Sequence, residues 1–414
     1  MFPGLFPPLS NEVRQDLEKL LSLIDEVFPV PGRFRSRLPQ DVAECSRLLS
    51  GGRSERDGGY LGRPRLLSAY LHYFLPWNVF RLCRLFGGME GSLETYADLS
   101  DGDAVSDLGS GPLTLPLAMA IALRKLRPVK LEFRCVDRTG AVLEAGKKLF
   151  DTFTGGMEKN WTVKTIRGPL EAEIYGKRAR LVTAVNVFNE NGNYGGQKVR
   201  ALLSSRCAED GSILVVEPGI PQGGAFISGL RRALQQSGRA PVLPCTHSAP
   251  CAMDRHSPYG PRRGHGEKWC HFSFDTLDAP GALRRLSAAA GIPKQRASLS
   301  FLLAGPVSQA AVPAADINRL GENAPRSAVM DVRIISDMFP LPAEPRGPKP
   351  GTWGRYGCSE EGLVLAVGSR NRMDAAPPGA LVRVSRQIGG AEKRDRKSGA
   401  LRVEVPDDAA PAIH

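Results

Sequence analysis

The sequence predicts an α/β fold in which a largely parallel sheet carries helices on both faces. From residue 103 onwards, short apolar strands such as AVSDLG, KLEFRCVD and SILVVEPG alternate with helical segments. This alternation is typical of a parallel sheet, because parallel strands need a crossover connection, which is usually a helix. Two later apolar segments, ASLSFLLAG and AVMDVRIISDMF, predict two more strands and therefore a seven-strand sheet.

The flanking regions predict two further parts. Residues 10–98 carry apolar residues at helical spacing in LEKLLSLIDEVF and LLSAYLHYFLPWNVFRLCRLF, where Pro76 should break or kink the second helix. After the Pro- and Gly-rich segment PLPAEPRGPKPGTWG, the runs GLVLAVG, ALVRVSRQ and ALRVEV predict three short strands. We therefore expect a helical domain at 1–98, a sheet domain at 99–340 with a cysteine-rich insertion at 240–272, and a small β domain at 341–414.

Composition indicates a soluble globular protein with a polyanionic partner. The 414 residues are 42% hydrophobic and 24% charged, and the net charge of +12 favours nucleic acid as that partner, with a merely solvated basic surface as the alternative. The opening residues MFPGLFPPLSNEVRQDLEKLL resemble neither a secretory signal nor a transit peptide. No apolar run reaches the roughly 20 residues of a membrane helix. We therefore expect a cytoplasmic protein with reduced thiols and no membrane contact.

The turn after the first strand has the residues of a nucleotide-type site. Asp107 is followed by Gly109 and Gly111, and the second strand ends at Asp137. Glycines allow the backbone to turn tightly and approach a ligand, and an acid at the end of the second strand can accept hydrogen bonds from ribose hydroxyls. The third glycine of the dinucleotide motif is missing. The alternative is an ordinary strand–turn–helix whose glycines serve only geometry.

This pattern resembles S-adenosylmethionine-dependent methyltransferases. The resemblance implies that the cofactor-binding residues are Asp107, Gly109, Gly111, Asp137, Glu171 and Asn186. Glu171 would lie near the adenine and Asn186 at the rim of the pocket. Enzymes that methylate exocyclic amines carry an Asn/Asp-Pro-Pro-aromatic turn after the fourth strand, whereas this chain reads Asn-Val-Phe-Asn at 186–189. Cofactor binding is therefore better supported than methyl transfer.

The segment PVLPCTHSAPCAMDRHSPYGPRRGHGEKWCHF gathers three of the eight cysteines, Cys245, Cys251 and Cys270. A polar loop rich in Gly and Pro does not need thiols for packing, so we expect a metal site, with a metal-free reduced loop as the alternative. His247 or His271 would complete a Cys3His zinc site. Cys358, in the Gly-rich segment GTWGRYGCSEEG, would instead give four thiolates, which suit zinc or an iron–sulfur cluster. The remaining cysteines lie in strand or helix patterns and are expected to be small buried hydrophobes: Cys45, Cys83, Cys135 and Cys207.

The loop makes the resemblance more specific. APVLPCTHSAPC and KWCHFSF, together with DLGSGPLT and ILVVEPG, resemble the methyltransferase-like proteins associated with the small ribosomal subunit in mitochondria and bacteria. The likeness covers residues 30–370. It implies a Rossmann-like, seven-strand methyltransferase sheet and contact with small-subunit rRNA during assembly. It also implies a [4Fe-4S] cluster on Cys245, Cys251, Cys270 and Cys358, with zinc as the alternative metal.

Basic residues fit a nucleic-acid partner. Residues 231–271 and 383–402 each carry seven Lys or Arg against two acids, and Tyr259 and Trp269 could stack on unpaired bases or simply pack locally. We therefore predict an S-adenosylmethionine-binding, iron–sulfur protein that acts on or assembles the small ribosomal subunit through rRNA. The alternatives are a catalytically active rRNA methyltransferase and a zinc-containing RNA-binding protein. A third alternative is an iron–sulfur redox or radical enzyme, of which the radical form is disfavoured because the C-x3-C-x2-C pattern is absent.

Overall fold

Two β sheets and a group of N-terminal helices make up the structure. It is a computed structural model that describes residues 4–50, 60–89, 98–172, 174–188, 196–254, 268–309, 329–343, 350–385 and 394–405. Within these residues, no helix is long and apolar enough to cross a membrane.

The N-terminal region is helical, as predicted. Its helices are α1 Asn11–Val27, α2 Gly32–Arg35, α3 Leu38–Ser50, α4 Pro64–Ala69 and α5 Leu75–Gly88. Between α4 and α5 the chain continues as a π-helical turn from Tyr70 to Phe74, so Pro76 does not break the helix, and the irregularity expected there is this wider turn. Pro76 lies in the first turn of α5, and the wider turn before it accommodates a residue that has no N–H to donate.

The large sheet has eight strands, seven of them in one path. They are β1 Asp103–Leu108, β2 Leu131–Asp137, β3 Trp161–Arg167, β4 Ala179–Val185, β5 Cys207–Pro218, β6 Arg239–Leu243, β7 Phe272–Asp275 and β8 Arg296–Pro306. The path runs β3-β2-β1-β4-β5-β8-β6, and β7 pairs with the beginning of β8. The first five strands are parallel, and β8 is antiparallel to both β5 and β6. This confirms the predicted Rossmann-like sheet, although it has eight strands and not the predicted seven.

Helices cover both faces of this sheet. They are α6 Thr114–Ala122, α7 Gly140–Thr154, α8 Gly196–Arg206, α9 Pro221–Gln235 and α10 Gly281–Ala289. One apolar core extends from α1, α3 and α5 through α6 and α7 to the neighbouring face of the sheet, so the helical region shares its core with the sheet. The opposite face packs against α8 and α9 in a second core. Cys45, Cys83, Cys135 and Cys207 are all at most 1% exposed, which confirms that they are buried hydrophobes.

A second sheet follows the large one. Its strands are β9 Val329–Ile334, β10 Phe339–Pro340, β11 Trp353–Ser359, β12 Gly362–Gly368, β13 Leu381–Ser385 and β14 Leu401–Glu404, with helix α11 at Arg370–Asp374. The order is β13-β9-β11-β12-β14, and β10 pairs with β11. The three predicted C-terminal strands are present as β12, β13 and β14.

Two expectations about this region are wrong. The segment AVMDVRIISDMF does not complete the large sheet, because its strand β9 pairs with β11 and β13 instead. Cys358 does not lie in a Gly-rich loop, because it pairs with Arg333 of β9 from within strand β11. Glycines at 354 and 357 permit close packing here: a Cβ on Gly357 would lie 2.3 Å from the side chain of Val332.

The N-terminal segment joins the two sheets. Gly4 forms an isolated bridge with Ala380, and the N–H of Leu5 donates to the carbonyl of Gly379. Arg84 of α5, which is 2% exposed, donates to both carboxylate oxygens of Asp278 at 2.8 Å and to the carbonyl of Phe6. This buried ion pair fixes the opening segment and α5 against the turn that precedes α10.

Candidate functional site

A cleft opens at the carboxyl ends of β1, β2, β3 and β4. Its volume is about 200 Å³, and its lining comes from the turns that follow these four strands and from the N-terminal helical region: Leu61, Tyr70, Gly109, Gly111, Asp137, Arg138, Val142, Gly168, Pro169, Leu170, Val185, Asn186 and Val187. The strand order reverses between β1 and β4, and ligands of open α/β sheets bind at this kind of switch point. Four residues predicted from the sequence therefore meet in one cleft: Gly109, Gly111, Asp137 and Asn186.

Asp107 lies beneath the cleft and does not line it. The residue is 2% exposed, and its Oδ1 accepts a hydrogen bond from Thr183 Oγ1 at 2.7 Å. Its backbone carbonyl accepts another from Ser110 Oγ at 2.8 Å. Burial raises the pKa of Asp107 to about 6, the hydrogen bonds from Thr183 and Ser110 oppose that rise, and the nearby Asp137 adds to it. The carboxyl group therefore ties β1 to β4, while the backbone carbonyl of Asp107 holds Ser110 of the glycine turn.

The turn between β1 and α6 has a left-handed backbone at several positions. Gly109 has φ of 70°, Gly111 has φ of 53°, and Leu113 has φ of 56°. A Cβ at Gly109 would lie 2.6 Å from Val187 Cγ2, whereas a Cβ at Gly111 would meet nothing within 4 Å. Gly109 is thus required by packing against the turn after β4, and Gly111 faces the open cleft.

Asp137 ties this turn to the end of β2. Its Oδ2 accepts from the N–H of Gly111 at 3.0 Å, and its Oδ1 accepts from the N–H of Thr139 at 2.8 Å. A carboxylate oxygen has two lone pairs, so each oxygen keeps acceptor capacity for a ligand hydroxyl. Glu171 is exposed and is not among the cleft residues, whose wall on that side is formed by residues 168–170.

The turn after β4 is held by a residue that sequence reasoning missed. Glu217, at the end of β5, is fully buried, and its Oε1 accepts from the N–H groups of Val187 at 3.2 Å and Phe188 at 2.9 Å. Asn186 has a left-handed φ of 57°, and its N–H donates to the carbonyl of Val216. The sequence does carry a signal for Glu217, because it is the one acid in the apolar strand SILVVEPG, and a carboxylate at the end of a buried strand needs a partner.

The four predicted metal-ligand cysteines meet between the two sheets. Cys245 follows β6, Cys270 precedes β7, and Cys358 comes from β11, while Cys251 lies in the connecting segment. Burial raises the pKa of the Cys270 thiol well above its ordinary value, and the thiols of Cys251, Cys245 and Cys358 raise it further. Burial likewise raises the pKa of Cys251 and Cys358. The four thiols are therefore electrostatic neighbours, although Cys245 and Cys358 are far apart in the chain.

A buried arginine and a buried histidine accompany the thiols. The guanidinium of Arg231, which is 3% exposed, donates to the carbonyls of His247 and Ala249 and to Gln235 Oε1. Burial acts to lower its pKa, but Cys245, Cys251 and Cys358 outweigh burial and raise it. His247 Nε2 lies 3.7 Å from Cys358 Sγ, and burial together with Arg231 lowers the pKa of His247 to about 3. The ring is therefore neutral at physiological pH.

The donor set fits a thiophilic metal, but the ligand sphere is not preformed. Among the described residues, no group of three or more His, Cys, Asp or Glu side chains is arranged closely enough to hold a metal ion. What fits is the chemistry: four partly buried thiols and an adjacent cation suit a site that carries negative charge once its thiols ionise. His271 packs against Trp269 with ring centroids 4.8 Å apart, and its Nδ1 lies 3.1 Å from the carbonyl of Trp269.

The described arginines of the 231–271 segment are engaged within the protein. Arg231 is buried beside the thiols, Arg232 pairs with Asp254 at 2.9 Å, and Arg239 donates to the carbonyls of residues 208 and 211. Trp269 Nε1 donates to the carbonyl at 219. Tyr259, Arg255, Arg262 and Arg263 lie outside the described residues. The charge of Arg231, Arg232 and Arg239 is therefore structural.

Comparisons with known proteins give one family and several distant folds. A family model described as mitochondrial small ribosomal subunit Rsm22 matches residues 69–314, more than half of the chain. No curated protein matches. An S-adenosyl-L-homocysteine complex of a SAM-dependent methyltransferase from Geobacter sulfurreducens is 12% identical, with a TM-score of 0.31 over 52% of this chain and 89% of that one. A similar complex from Thiobacillus denitrificans is 12% identical, with a TM-score of 0.30 over 52% and 90%. Likenesses this distant assign no role to any residue here.

Proposed function

The chain belongs to the family described as mitochondrial small ribosomal subunit Rsm22, and we propose that it binds S-adenosylmethionine and contacts the rRNA of the small subunit. The observation that carries the cofactor part is the cleft at the switch point of the sheet, where Gly109, Gly111, Asp137 and Asn186 meet. The family and the net charge of +12 support the RNA part.

Each cleft residue has a distinct task in this proposal. The free oxygen lone pairs of Asp137 accept hydrogen bonds from the ribose hydroxyls, while its bonds to Gly111 and Thr139 fix its orientation. Gly111 leaves room for the cofactor, because nothing lies where its Cβ would be. Asn186 presents its side chain at the rim, in a turn that Glu217 holds in place.

We propose further that Cys245, Cys251, Cys270 and Cys358 hold a [4Fe-4S] cluster, with zinc as the alternative. Either group would cross-link the segment after β6 to strand β11, and the cluster would add a redox-active charge. Arg231 would offset the negative charge of the ionised thiols from its buried position. His247 would donate a hydrogen bond to sulfur, or serve as a ligand in a Cys3His zinc site.

Calorimetry with matched variants tests cofactor binding. Asp137→Ala should lower the affinity for S-adenosylmethionine by about tenfold or more, since hydrogen bonds to a charged acceptor contribute roughly 1.5–3 kcal/mol. Asp151→Ala, on the exposed side of α7, removes a carboxylate outside the cleft and should leave affinity unchanged. Equal affinity in wild type and Asp137→Ala would reject the site.

Comparing substitutions at two glycines separates an effect on cofactor binding from the folding cost of backbone strain. Gly111 and Gly102 both have positive φ, and at either residue a Cβ would meet no atom within 4 Å. Alanine at either site should therefore cost a similar folding free energy, on the order of 1 kcal/mol. Only Gly111→Ala should weaken cofactor binding, because Gly102 lies before β1, away from the cleft.

Methyl transfer to rRNA is the second candidate function. The observation that favours it is the fixed turn at 186–188, which holds Asn186 at the cleft where a substrate base would meet the cofactor. Transfer of a labelled methyl group to small-subunit rRNA tests it. Cofactor binding without transfer, with rRNA bound, would leave the binding function standing and remove catalysis.

A further inference from the structure

A stripe of partly exposed residues leads away from the cofactor cleft along α5. Tyr70, Phe74, Asn78 and Arg81 are partly exposed, whereas most residues between them are buried. Tyr70 lines the cleft and stacks on Phe74, with ring centroids 5.5 Å apart and planes inclined by 27°. The stripe therefore begins with a ring that lines the cleft, continues with a second ring stacked on it, and ends at a cation.

Arg81 has no carboxylate partner among the described residues. Its guanidinium donates to Asn78 Oδ1 at 3.0 Å, while its Nε is shielded from solvent and has no hydrogen-bond partner in the part of the chain that the structure describes. Burial lowers its pKa, and only the hydroxyls of Tyr73 and Tyr70 act in the opposite direction. Arg84, one turn further along α5, pairs through its terminal nitrogens with Asp278 of the turn before α10, so this other cation of the helix has a carboxylate partner.

Lys294 brings a second cation to the same place. It lies in the turn between α10 and β8, and its Nζ is 5.8 Å from the ring centroid of Tyr73 and 5.9 Å from that of Trp77. Burial, together with repulsion from Arg81, lowers the pKa of Lys294 to about 8. Two like charges held together in a partly desolvated site oppose folding unless an anion joins them.

The Arg81–Lys294 pair lies at the edge of the large sheet where the parallel strands end. Leu299 of β8 pairs with Pro218 at the end of β5, so the turn that carries Lys294 lies beyond the carboxyl ends of the parallel strands. The cofactor cleft opens at this same edge. A ligand that spans from the stacked rings of Tyr70 and Phe74 to the two cations would therefore lie beside the cofactor.

We propose that Arg81 and Lys294 bind a backbone phosphate of a single-stranded RNA segment whose neighbouring base stacks on the Tyr70–Phe74 rings. Aromatic rings beside cations are the usual combination for single-stranded nucleic acid, because rings take bases and cations take phosphates. A free phosphate would use the cations alone and leave the rings without a role. The inference rests on the proposed rRNA contact and specifies where it occurs.

Fluorescence anisotropy with a labelled single-stranded RNA oligonucleotide tests the site. Lys294→Gln should weaken binding about tenfold, as expected for one charge-assisted hydrogen bond, and should reduce the slope of log K against log salt by about 0.7. Lys294→Arg should keep most of the affinity. Lys148→Gln is the matched control, because Lys148 also lies over a ring, Phe28 at 5.5 Å, but on the exposed side of α7.

Melting temperature separates binding from structure. Because Lys294 and Arg81 repel each other, Lys294→Gln should keep or raise the melting temperature. A lower melting temperature with unchanged RNA affinity and salt slope would show a structural role only and overturn the proposal.

The remaining outcomes distinguish this inference from the proposed function. If wild type binds the oligonucleotide and Lys294→Gln binds it equally well, the phosphate site is wrong while rRNA contact stands. If wild type binds no RNA, the RNA part of the proposed function fails, and inorganic phosphate at constant ionic strength becomes the probe. Thermal stabilisation by phosphate that disappears in Lys294→Gln would then identify a site for a free phosphate and overturn RNA as its ligand. No stabilisation would overturn the site altogether.

Discussion

Replacing Asp107 by Asn should change how the stability of the fold depends on pH. Burial raises the pKa of this carboxyl group from 3.8 to about 6 in the folded protein. The folded state therefore holds the proton more tightly than the unfolded state. The stability that Asp107 contributes through its raised pKa is fully present below pH 3.8. This contribution is lost as pH rises through about 6, where the folded protein must also ionise the buried group.

The size of the effect follows from the shift. A difference of about two pKa units corresponds to about 3 kcal/mol of lost stability at neutral pH, of which about half is already lost at pH 5. Asparagine keeps an acceptor for Thr183 Oγ1 and cannot ionise. The stability of Asp107→Asn relative to wild type should therefore increase by about 1.5 kcal/mol between pH 5 and pH 8.

Urea unfolding of both proteins at a series of pH values is the assay. Imperfect packing of the amide adds a constant difference to the free energy of unfolding. This difference cancels, because the assay compares only how the free energy of unfolding changes with pH. Thr183→Val supplies a perturbation of opposite sign. It removes the hydrogen bond that holds the pKa of Asp107 down, so the fall in stability should become larger. Parallel pH profiles for wild type and Asp107→Asn would refute the reasoning.

Two further predictions concern the glycine turn and the thiols. Gly109→Ala should destabilise the fold by about 2–3 kcal/mol, because the new Cβ would lie 2.6 Å from the side chain of Val187. Adding Val187→Ala should recover part of that loss. Strictly additive changes in the free energy of unfolding would contradict this contact. Anaerobically purified protein should be brown and contain iron and acid-labile sulfide near four each per chain. Cys251→Ser should lose this metal and Cys83→Ser should keep it, whereas stoichiometric zinc without sulfide would favour the zinc alternative.

The sequence predicted those parts of the fold that depend on local pattern. Strands β1–β5 and their helices follow from alternating apolar runs, and Asp107 and Asp137 stand out as acids at strand ends. It could not assign β9 to a sheet, because an apolar strand looks the same whichever partner it pairs with. The pattern around Cys358 predicts a loop, because the glycines and polar residues there lack the apolar alternation typical of a strand.

The same limit applies within the candidate site. The position of Gly109 in the turn was readable, but the reason for the glycine was not, because Val187 approaches it from a different strand. The sequence pattern predicts Arg231 to be part of a basic surface, whereas the residue is buried, because a sequence shows charge and not burial. The Arg81–Lys294 pair was missed because the two cations come from distant segments, and neither belongs to a charged run.

The gathering of the thiols between the two sheets has a consequence for biosynthesis. Strand β11 delivers Cys358 to a group whose members are synthesised well before it, and its contact His247 precedes it by 111 residues. At about 5–20 residues per second, the nascent chain would expose an incomplete set of thiols for on the order of 10 s. The bridge between Gly4 and Ala380 forms later still, because Ala380 is synthesised after Cys358. Both contacts depend on the second sheet, which is synthesised last. A ribosomal pause between β9 and β11 would therefore prolong the interval in which the incomplete set of thiols is exposed to oxidants.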